Sequence, residues 1–386
     1  MNILLINDFK TGGGAEVIFY KTYQTLMAIG HNVDIVYCHE KIVSPKSIIN
    51  YIFSIKKYFE IKNSLKKKNY NLIYILNYSN AYSPSILLAI NQYKKRNPKL
   101  KVLYNAHDAH IICPNSALNY YQNKRSYRFN TPISFKHFIL KRLDHRGAIY
   151  SIIKKIQWIL AYKILHLQKT FDKILCPSLF LATQIQKTYP YLDTDILRNP
   201  LNKKEIEKPQ NYNKLIHSPI RLIYFGRLSS EKGLNILLQN FQNVNIDYEF
   251  HIYGDGPDKE SLQKLVNQLS LKNKIFFKGK LPWKSLMKII HQYDAFILPS
   301  HCYENAPLSI VEAAYAGLYI LTMNYGGMKE ISDIVGNNLF INPISPETLT
   351  TQIMNIYKLP FNKPNYEMFS EDLFKEKISQ YISSLK

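Results

Sequence analysis

The 386-residue sequence has few cysteines and no long apolar run, and these shortages exclude several classes of protein. Its cysteines lie far apart without paired spacing, which argues against a disulfide framework or a zinc ribbon and favours a reduced, cytosolic compartment. They are Cys38, Cys113, Cys176 and Cys302. Because 18 consecutive apolar residues occur nowhere, we predict no membrane-spanning helix. Residues 1–10 lack a basic segment followed by an apolar one, so we predict a strand there and no signal peptide.

Acidic residues are also scarce, with 28 Asp and Glu against 50 Lys and Arg and a net charge of +22. Residues 1–200 hold 29 of the basic residues and 10 of the acidic ones, so nearly all of the excess lies in the first half. Such an asymmetry indicates an anionic partner, which could be a membrane surface, a diphosphate-linked lipid or a nucleic acid. Surface lysines that serve only solubility are the alternative.

The apolar fraction of 46% is ordinary for a folded protein, and the length suits two domains. Short apolar strands alternate with helical patterns in residues 1–200, and the alternation restarts after a polar, proline-containing stretch that ends near residue 219. Alternation of this kind predicts parallel sheets covered by helices. We therefore predict two doubly wound α/β domains over residues 1–200 and 201–365, followed by a helix in residues 366–386 that packs toward the first domain.

Two strand-to-helix junctions in the second domain carry charged residues. Residues 226–233 follow a predicted strand and place Arg227 and Lys232 at the carboxyl edge of the sheet, where fixed positive charge and a helix N-terminus suit a diphosphate. This loop lacks the ending of a P-loop, which disfavours nucleotide hydrolysis. Glu304 and Glu312 flank the second junction, where Pro307 suits the first helical position. Glu312 shares an apolar helix face, so it needs a partner such as a ribose diol, unless it forms an internal salt bridge with Lys288 or Lys329.

Four segments of the sequence together resemble the retaining GT-B glycosyltransferases of family 4, also called glycosyl transferases group 1. They are the two junctions just described, the glycine loop of residues 12–16, and the pair Gly326 and Gly327 before Glu330. The four pieces occur in the order of that family and span nearly the whole chain. The resemblance implies a GT-B fold, in which two Rossmann-like domains face a central cleft. It also implies a retaining hexosyltransferase that moves a sugar from a nucleoside-diphosphate sugar to an acceptor hydroxyl, in the manner of members that build bacterial surface polysaccharides.

The resemblance assigns a role to each matching residue. Arg227 and Lys232 match the pair that holds the donor diphosphate and offsets its charge in place of a metal, so no metal and no cofactor are expected. Glu304 matches the glutamate beside the donor sugar, and Glu312 matches the one that binds the nucleotide ribose. Further donor contacts are implied for Gly13, Gly14, Ala306, Pro307, Leu308 and Ser309.

His107 and Asp108 follow the fourth predicted strand, where the family places an acceptor-side histidine. The resemblance therefore implies that His107 contacts the donor sugar or orients the acceptor. A metal site formed by His107, Asp108, His110 and Cys113 is the chemical alternative. The Asp193 and Asp195 pair mimics a metal-binding motif of another glycosyltransferase fold, and we interpret it as coincidence.

Residues 135–173 combine nine Lys and Arg residues with aromatic and aliphatic side chains at helical spacing. The pattern predicts an interfacial helix pair on an anionic leaflet, or else a core helix with a solvated lysine face. With the resemblance, it gives the expectation of a peripheral protein on the inner face of the cytoplasmic membrane whose glycan acceptor is lipid-linked.

Two other functions fit parts of the sequence. A sugar-nucleotide epimerase or hydrolase of related fold is one alternative, and a basic nucleic-acid-binding protein is the other. Nucleic acid is not an expected partner, because no known nucleic-acid module is visible and such binding leaves Glu304 and Glu312 unexplained. A dinucleotide-dependent dehydrogenase is excluded because the first glycine loop lacks the G-x-G-x-x-G pattern.

Overall fold

The structure is a computed structural model that describes residues 1–10, 14–38, 47–79, 81–122, 125–129, 135–209 and 215–385. The chain divides into two compact units. Unit 1 comprises residues 1–122, 129–199 and 372–386, and unit 2 comprises residues 123–128 and 200–371.

Unit 1 is built on six parallel strands in the order β2-β1-β3-β4-β7-β8. These strands are β1 Asn2–Phe9, β2 Asn32–Cys38, β3 Leu72–Ile75, β4 Lys101–Asn105, β7 Lys173–Cys176 and β8 Thr194–Ile196. Its helices are α1 Gly14–Ala28, α2 Ser47–Ile52, α3 Ile55–Lys66, α4 Ser85–Arg96, α5 Phe135–Leu140, α6 Ala148–Ile159 and α7 Leu179–Thr188, and most of α14 Glu371–Ser384 also belongs here. The strand order reverses between β1 and β3, so the loop that follows β1 lies at a point where open α/β sheets bind ligands.

Unit 2 contains a second parallel sheet, in the order β11-β10-β9-β12-β13-β14. Its strands are β9 Ile220–Phe225, β10 Tyr248–Tyr253, β11 Ile275–Gly279, β12 Ala295–Leu298, β13 Tyr319–Thr322 and β14 Asn338–Phe340. Its helices are α8 Leu234–Phe241, α9 Lys259–Gln268, α10 Trp283–Met287, α11 Leu308–Tyr315, α12 Gly326–Val335 and α13 Pro346–Lys358. In order of appearance the strands run 3-2-1-4-5-6, which is the Rossmann order.

The central strands of unit 2 are apolar over nearly their whole length because both faces of the sheet are covered. All four residues of β12 are buried, and so are five of the six residues of β9. The order reverses between β9 and β12, and the carboxyl ends of these two strands lead into residues 226–233 and 299–307. Both charged junctions predicted from the sequence therefore flank the switch point of this sheet, where ligands bind in open α/β folds.

The expectation of two doubly wound α/β sheets is confirmed, and three details differ from the sequence-based prediction. A two-stranded sheet of β5 Asn119–Gln122 and β6 Arg125–Arg128 was not predicted, and residues 123–128 group with unit 2. Helix α13 was also not predicted; Ser345 caps it by accepting the backbone N–H of Thr348. The final segment, expected as one piece from residue 366, is divided at residue 371. In the described part of the chain, no helix is long and apolar enough to cross a bilayer.

Candidate active site at the sheet switch points

The loop after β9 reaches the loop after β12 through close backbone contacts that need glycine. Gly233 has φ +75°, and a Cβ there would lie 2.1 Å from the carbonyl oxygen of Pro299. Real atoms do not approach so closely, so a side chain at Gly233 would push the two loops apart. A backbone hydrogen bond of 2.8 Å from His301 N–H to the Glu231 carbonyl holds the same two loops together.

Lys232 and Glu304 form the central ion pair of this region. Lys232 Nζ lies 2.5 Å from Glu304 Oε1, and the two side chains are 23% and 17% exposed. The buried Ser300 hydroxyl donates a second hydrogen bond of 2.5 Å to the same carboxylate oxygen. Burial alone would raise the pKa of Glu304, but the Lys232 ammonium and the Ser300 hydroxyl hold it below the ordinary value. Glu304 is therefore a carboxylate at neutral pH, and it raises the pKa of Lys232 against the opposing effect of burial.

Arg227 lies in the same loop, and its side chain is exposed. Its carbonyl oxygen accepts a hydrogen bond of 2.8 Å from the buried Tyr224 hydroxyl, which anchors the loop to β9. The two predicted cations are thus on one loop in different environments. Lys232 is fixed against a carboxylate, whereas the guanidinium of Arg227 faces solvent.

Helices α8 and α11 begin at these loops, and neither has a side-chain cap. Their first N–H groups remain available to an anion or to ligand oxygens. The prediction that Pro307 is the first helical residue is wrong: Pro307 has φ −69° and ψ +106°, so it precedes the helix, which begins at Leu308. Ala306, Pro307, Leu308 and Ser309 are all half-buried and line the start of α11.

Gly327 packs against the loop that carries Glu304. Its N–H donates a hydrogen bond of 2.8 Å to the Glu304 carbonyl, and a Cβ at Gly327 would lie 1.8 Å from the carbonyl oxygen of Asn305. The Gly326 and Gly327 pair thus allows α12 to approach the Glu304 loop closely, which explains why the sequence has glycines there.

Glu312 has neither of the lysine partners that the sequence suggested. Trp283 Nε1 donates a hydrogen bond of 2.8 Å to Glu312 Oε1, while Lys329 pairs with Asp333 at 2.5 Å. Burial raises the pKa of Glu312 to about 7, although the Trp283 hydrogen bond opposes this shift. A half-buried carboxyl group whose partner among the described residues is one indole N–H can also accept hydrogen bonds from the hydroxyl groups of a ligand.

In unit 1, His107 and Asp108 follow β4 in a loop that is held in place by hydrogen bonds. Asp108 Oδ1 accepts the backbone N–H of His110 at 2.8 Å, and the Trp158 indole donates to the His110 carbonyl at 2.9 Å. Burial lowers the pKa of His107 to about 4 and raises that of Asp108 to about 6. His107 is therefore a neutral imidazole at pH 7.

Little in this loop supports the metal alternative. The Cys113 thiol is buried, its pKa is raised to about 12 by that burial, and it lies 3.0 Å from Asn115 Oδ1. Within the described ranges, no group of three or more His, Cys, Asp or Glu side chains is placed to hold a metal ion. We interpret the likeness of Asp193 and Asp195 to a metal-binding motif as coincidence. In the structure, Asp193 Oδ2 lies 2.9 Å from Lys173 Nζ and forms an ion pair with it.

Gly13 lies outside the described residues, and Gly14 is the exposed first residue of α1. A Cβ at Gly14 would meet no atom within 4 Å, so packing within the chain does not require glycine at this position. The sequence-predicted residues thus fall into two groups. Arg227, Lys232, Glu304, Ala306, Pro307, Leu308, Ser309 and Glu312 come together in unit 2, whereas His107, Asp108 and Gly14 lie in unit 1.

Comparison with known proteins gives a consistent result. Residues 205–373 match the model of the family described as glycosyl transferases group 1. The 2-deoxystreptamine N-acetyl-D-glucosaminyltransferase of Niallia circulans is 30% identical over 113 residues, which are 28% of this chain and 29% of that protein. An uncharacterized 42.6 kDa protein in the cps region of Klebsiella pneumoniae is 26% identical over 89% of this chain and 91% of its own length. The solved structure of Anabaena Alr3699/HepE in complex with UDP and glucose is similar over 100% of both chains, with a TM-score of 0.66 and 16% identity.

Proposed function

Because residues 205–373 match the model of the glycosyl transferases group 1 and the chain has the GT-B fold, we propose that the protein is a retaining hexosyltransferase. It transfers a sugar from a nucleoside-diphosphate sugar to an acceptor hydroxyl with retention of anomeric configuration. The single observation that carries the proposal is the Lys232–Glu304 pair beside the uncapped starts of α8 and α11. A diphosphate and a sugar need this combination of a fixed cation, free backbone N–H groups and a carboxylate.

In this proposal Arg227 and Lys232 bind the donor diphosphate. As the bond between the anomeric carbon and the phosphate oxygen breaks, its electron pair stays on the departing nucleoside diphosphate, and the two cations stabilise that charge. Lys232 is ordered by its ion pair with Glu304, so little conformational entropy is lost when the diphosphate binds. A metal ion is not required for this step, because side-chain cations supply the positive charge.

Glu304 acts at the sugar. Its carboxylate, kept ionised by Lys232 and Ser300, contacts sugar hydroxyl groups and stabilises positive charge at the anomeric carbon. The acceptor oxygen then bonds to the face from which the diphosphate leaves, and the acceptor proton passes to the departing phosphate. Glu312 binds the ribose, because its carboxyl group, which accepts the Trp283 indole N–H, can also accept hydrogen bonds from the ribose hydroxyl groups. On the acceptor side, neutral His107 with Asp108 orients the acceptor hydroxyl, and Gly13 and Gly14 let backbone approach the diphosphate.

The donor and the role of metal are tested together. We expect one of UDP-, GDP- or ADP-sugars to raise the melting temperature of the protein by several degrees and to be turned over equally well with and without excess EDTA. NMR of the first-formed product should show the anomeric configuration of the donor. Activity that is lost in EDTA and restored by Mn²⁺ or Mg²⁺ would contradict the metal-free mechanism, and an inverted product would contradict retention.

We further propose that unit 1 docks on an anionic membrane, where a lipid-linked glycan acceptor is taken in the synthesis of a cell-surface polysaccharide. The location is the inner face of the cytoplasmic membrane. One relative, from Klebsiella pneumoniae, is described only as an uncharacterized protein in a cps region, so the proposal of membrane docking rests on the structure. In the structure, support comes from an apolar stripe on α6 that consists of Ile149, Ile152 and Ile156, with exposures of 71%, 53% and 46%.

The stripe is unusual for a helix of a globular protein. Trp158 and Ser151 form the buried face of α6, so the helix is already packed and the isoleucines are not needed for the core. Leu140 at the end of α5, 84% exposed, is a further apolar residue near in sequence. Lys141, Arg142 and Arg146 follow it closely and supply positive charge. This combination of apolar and basic groups is typical of surfaces that lie in a lipid interface.

Not every basic residue of this segment is available for docking. Lys154 Nζ lies 3.0 Å from the buried carboxylate of Asp144, and Lys155 donates to the Ile139 carbonyl at 2.9 Å. The buried Asp144 also accepts two hydrogen bonds of 2.9 Å from the Arg146 guanidinium. Arg142 is exposed, and the half-buried Lys141 has its ammonium 4.7 Å from the centroid of the Tyr120 ring; neither forms an ion pair among the described residues, so these are the cations that the proposal assigns to an anionic leaflet.

Replacing the three isoleucines of the stripe with serine should abolish co-sedimentation with vesicles that contain 30% anionic lipid. Each buried isoleucine contributes about 1.5–3 kcal/mol and each nearby cation about 1 kcal/mol, so the stripe contributes the larger share. A Lys141→Gln/Arg142→Gln variant should bind more weakly and lose its salt dependence. Leu215→Ser, at a 92% exposed leucine of unit 2, is the matched control and should bind as wild type does. Unchanged sedimentation of the triple variant would remove the stripe from the proposal.

A further inference from the structure

A short hairpin from the first half of the sequence contributes an arginine to unit 2. Strand β6 pairs with β5 and lies against the turn Ser230–Lys232 that precedes α8. Its last residue is Arg128, which is half-buried. This residue belongs to none of the sequence motifs discussed above.

Arg128 is held in place by two aromatic rings beside the Glu304 loop. Its guanidinium carbon lies 3.2 Å from the centroid of the Tyr325 ring and 5.4 Å from that of Tyr303. The Tyr325 hydroxyl donates a hydrogen bond of 2.6 Å to the carbonyl of Ser300, whose own hydroxyl binds Glu304. Tyr325, whose ring lies against Arg128, is thus connected to the Glu304 carboxylate through Ser300.

Stacking uses the face of a guanidinium and leaves its N–H groups free to donate at the edge. Among the ion pairs of the described residues, none includes Arg128, so its charge is not neutralised by a carboxylate there. The positive charge of Arg128 acts on the loop that carries Glu304, because burial and this charge together lower the pKa of His301 in that loop. Within the described residues, a guanidinium that is held by stacking and has no carboxylate partner can bind an anion through the N–H groups at its edge.

We propose that Arg128 binds the terminal phosphate of the nucleoside diphosphate and forms, with Arg227 and Lys232, a third cation of the donor site. The inference rests on the proposed function. Phosphate is favoured because β6 lies on the turn that carries Lys232, and because a guanidinium fork matches two phosphate oxygens. Arg128 is a binding residue that contacts the leaving group, and Tyr325 is a positioning residue that orients Arg128.

The test compares nucleoside diphosphates with monophosphates, which lack the terminal phosphate. Dissociation constants are measured for UDP and UMP, and for the GDP/GMP and ADP/AMP pairs. Arg128→Met should weaken diphosphate binding about tenfold or more and change monophosphate binding less than twofold, since a charge-assisted hydrogen bond is lost only in the first case. Arg125→Met, at an exposed arginine on the same strand, is the matched control and should change neither constant.

Two further variants separate stacking from charge. Arg128→Lys keeps the charge but cannot stack as a planar group, so it should restore diphosphate binding only in part. Tyr325→Leu removes the aromatic ring that Arg128 stacks on and should reproduce a similar partial loss. Equal losses for diphosphate and monophosphate, or no loss at all, in an Arg128→Met protein that melts as wild type does would overturn this inference alone. Wild-type protein that binds no nucleotide would overturn the proposed function and this inference with it.

Discussion

Glu304→Gln is expected to lower kcat by about 10²–10³-fold while the affinity for the donor stays within a few fold of wild type. The substitution keeps the volume of the side chain and its hydrogen-bond acceptor for Ser300, but it removes the negative charge that the proposal places beside the anomeric carbon. Loss of one preorganised group that stabilises charge in a transition state has an effect of this size. Donor binding is preserved because the Lys232 ammonium, released from its carboxylate, remains available to the diphosphate.

Glu312→Gln is the matched control for this experiment, since it makes the same chemical change at the other glutamate of the motif. Glu312 contacts the ribose in the proposal and not the reacting sugar, so this variant should weaken nucleotide binding and leave kcat at saturating donor nearly unchanged. Steady-state kinetics and calorimetric binding of the donor give the two quantities. If both variants reduced donor affinity equally and kcat remained at the wild-type value, the roles assigned to the two carboxylates would be wrong.

The sequence predicted the location of the candidate site better than its contacts. Arg227, Lys232, Glu304 and Glu312 could be placed because loops that follow parallel strands meet at one edge of a sheet. The partners of these residues could not be placed, because they depend on long-range packing. Trp283 contacts Glu312 from 29 positions earlier in the chain, and no local pattern indicates such a contact.

The hairpin β5–β6 escaped prediction for a related reason. Each strand has only four residues, and the pattern of β6 is Arg-Ser-Tyr-Arg, which has no apolar periodicity. The strand is stabilised by what it contacts in the folded chain and not by its own sequence. The helix start at Pro307 was predicted one residue too early. Proline suits the first helical position and also the residue before it, and only the structure shows that Pro307 precedes the helix.

Lys232→Met is expected to destabilise the protein and to weaken donor binding at least tenfold. The variant leaves the Glu304 carboxylate, which is 17% exposed, without its counter-charge. Breaking a fully buried ion pair from one side costs about 3–5 kcal/mol, and partial exposure reduces this to about 2–3 kcal/mol. Thermal unfolding at pH 7 should therefore show a midpoint about 4–12 °C lower, given about 2–4 °C per kcal/mol for a unit of this size.

The pH dependence identifies the cause of this loss. Because the folded-state pKa of Glu304 is below its unfolded value of about 4.5, the pair stabilises the wild type above that pH and stops doing so as pH falls through the folded-state pKa. In Lys232→Met, burial without the ammonium raises the pKa of Glu304. Acidification therefore protonates the carboxyl group and removes the cost of burying an unpaired carboxylate in the variant. The difference in midpoint between the two proteins should therefore shrink between pH 7 and pH 4.

A Lys232→Met/Glu304→Gln double variant, which has neither charge, should regain most of the lost stability at pH 7 yet still bind the donor weakly. A double variant that melts as low as Lys232→Met would show that the destabilisation comes from lost packing of the lysine side chain and not from an unpaired Glu304.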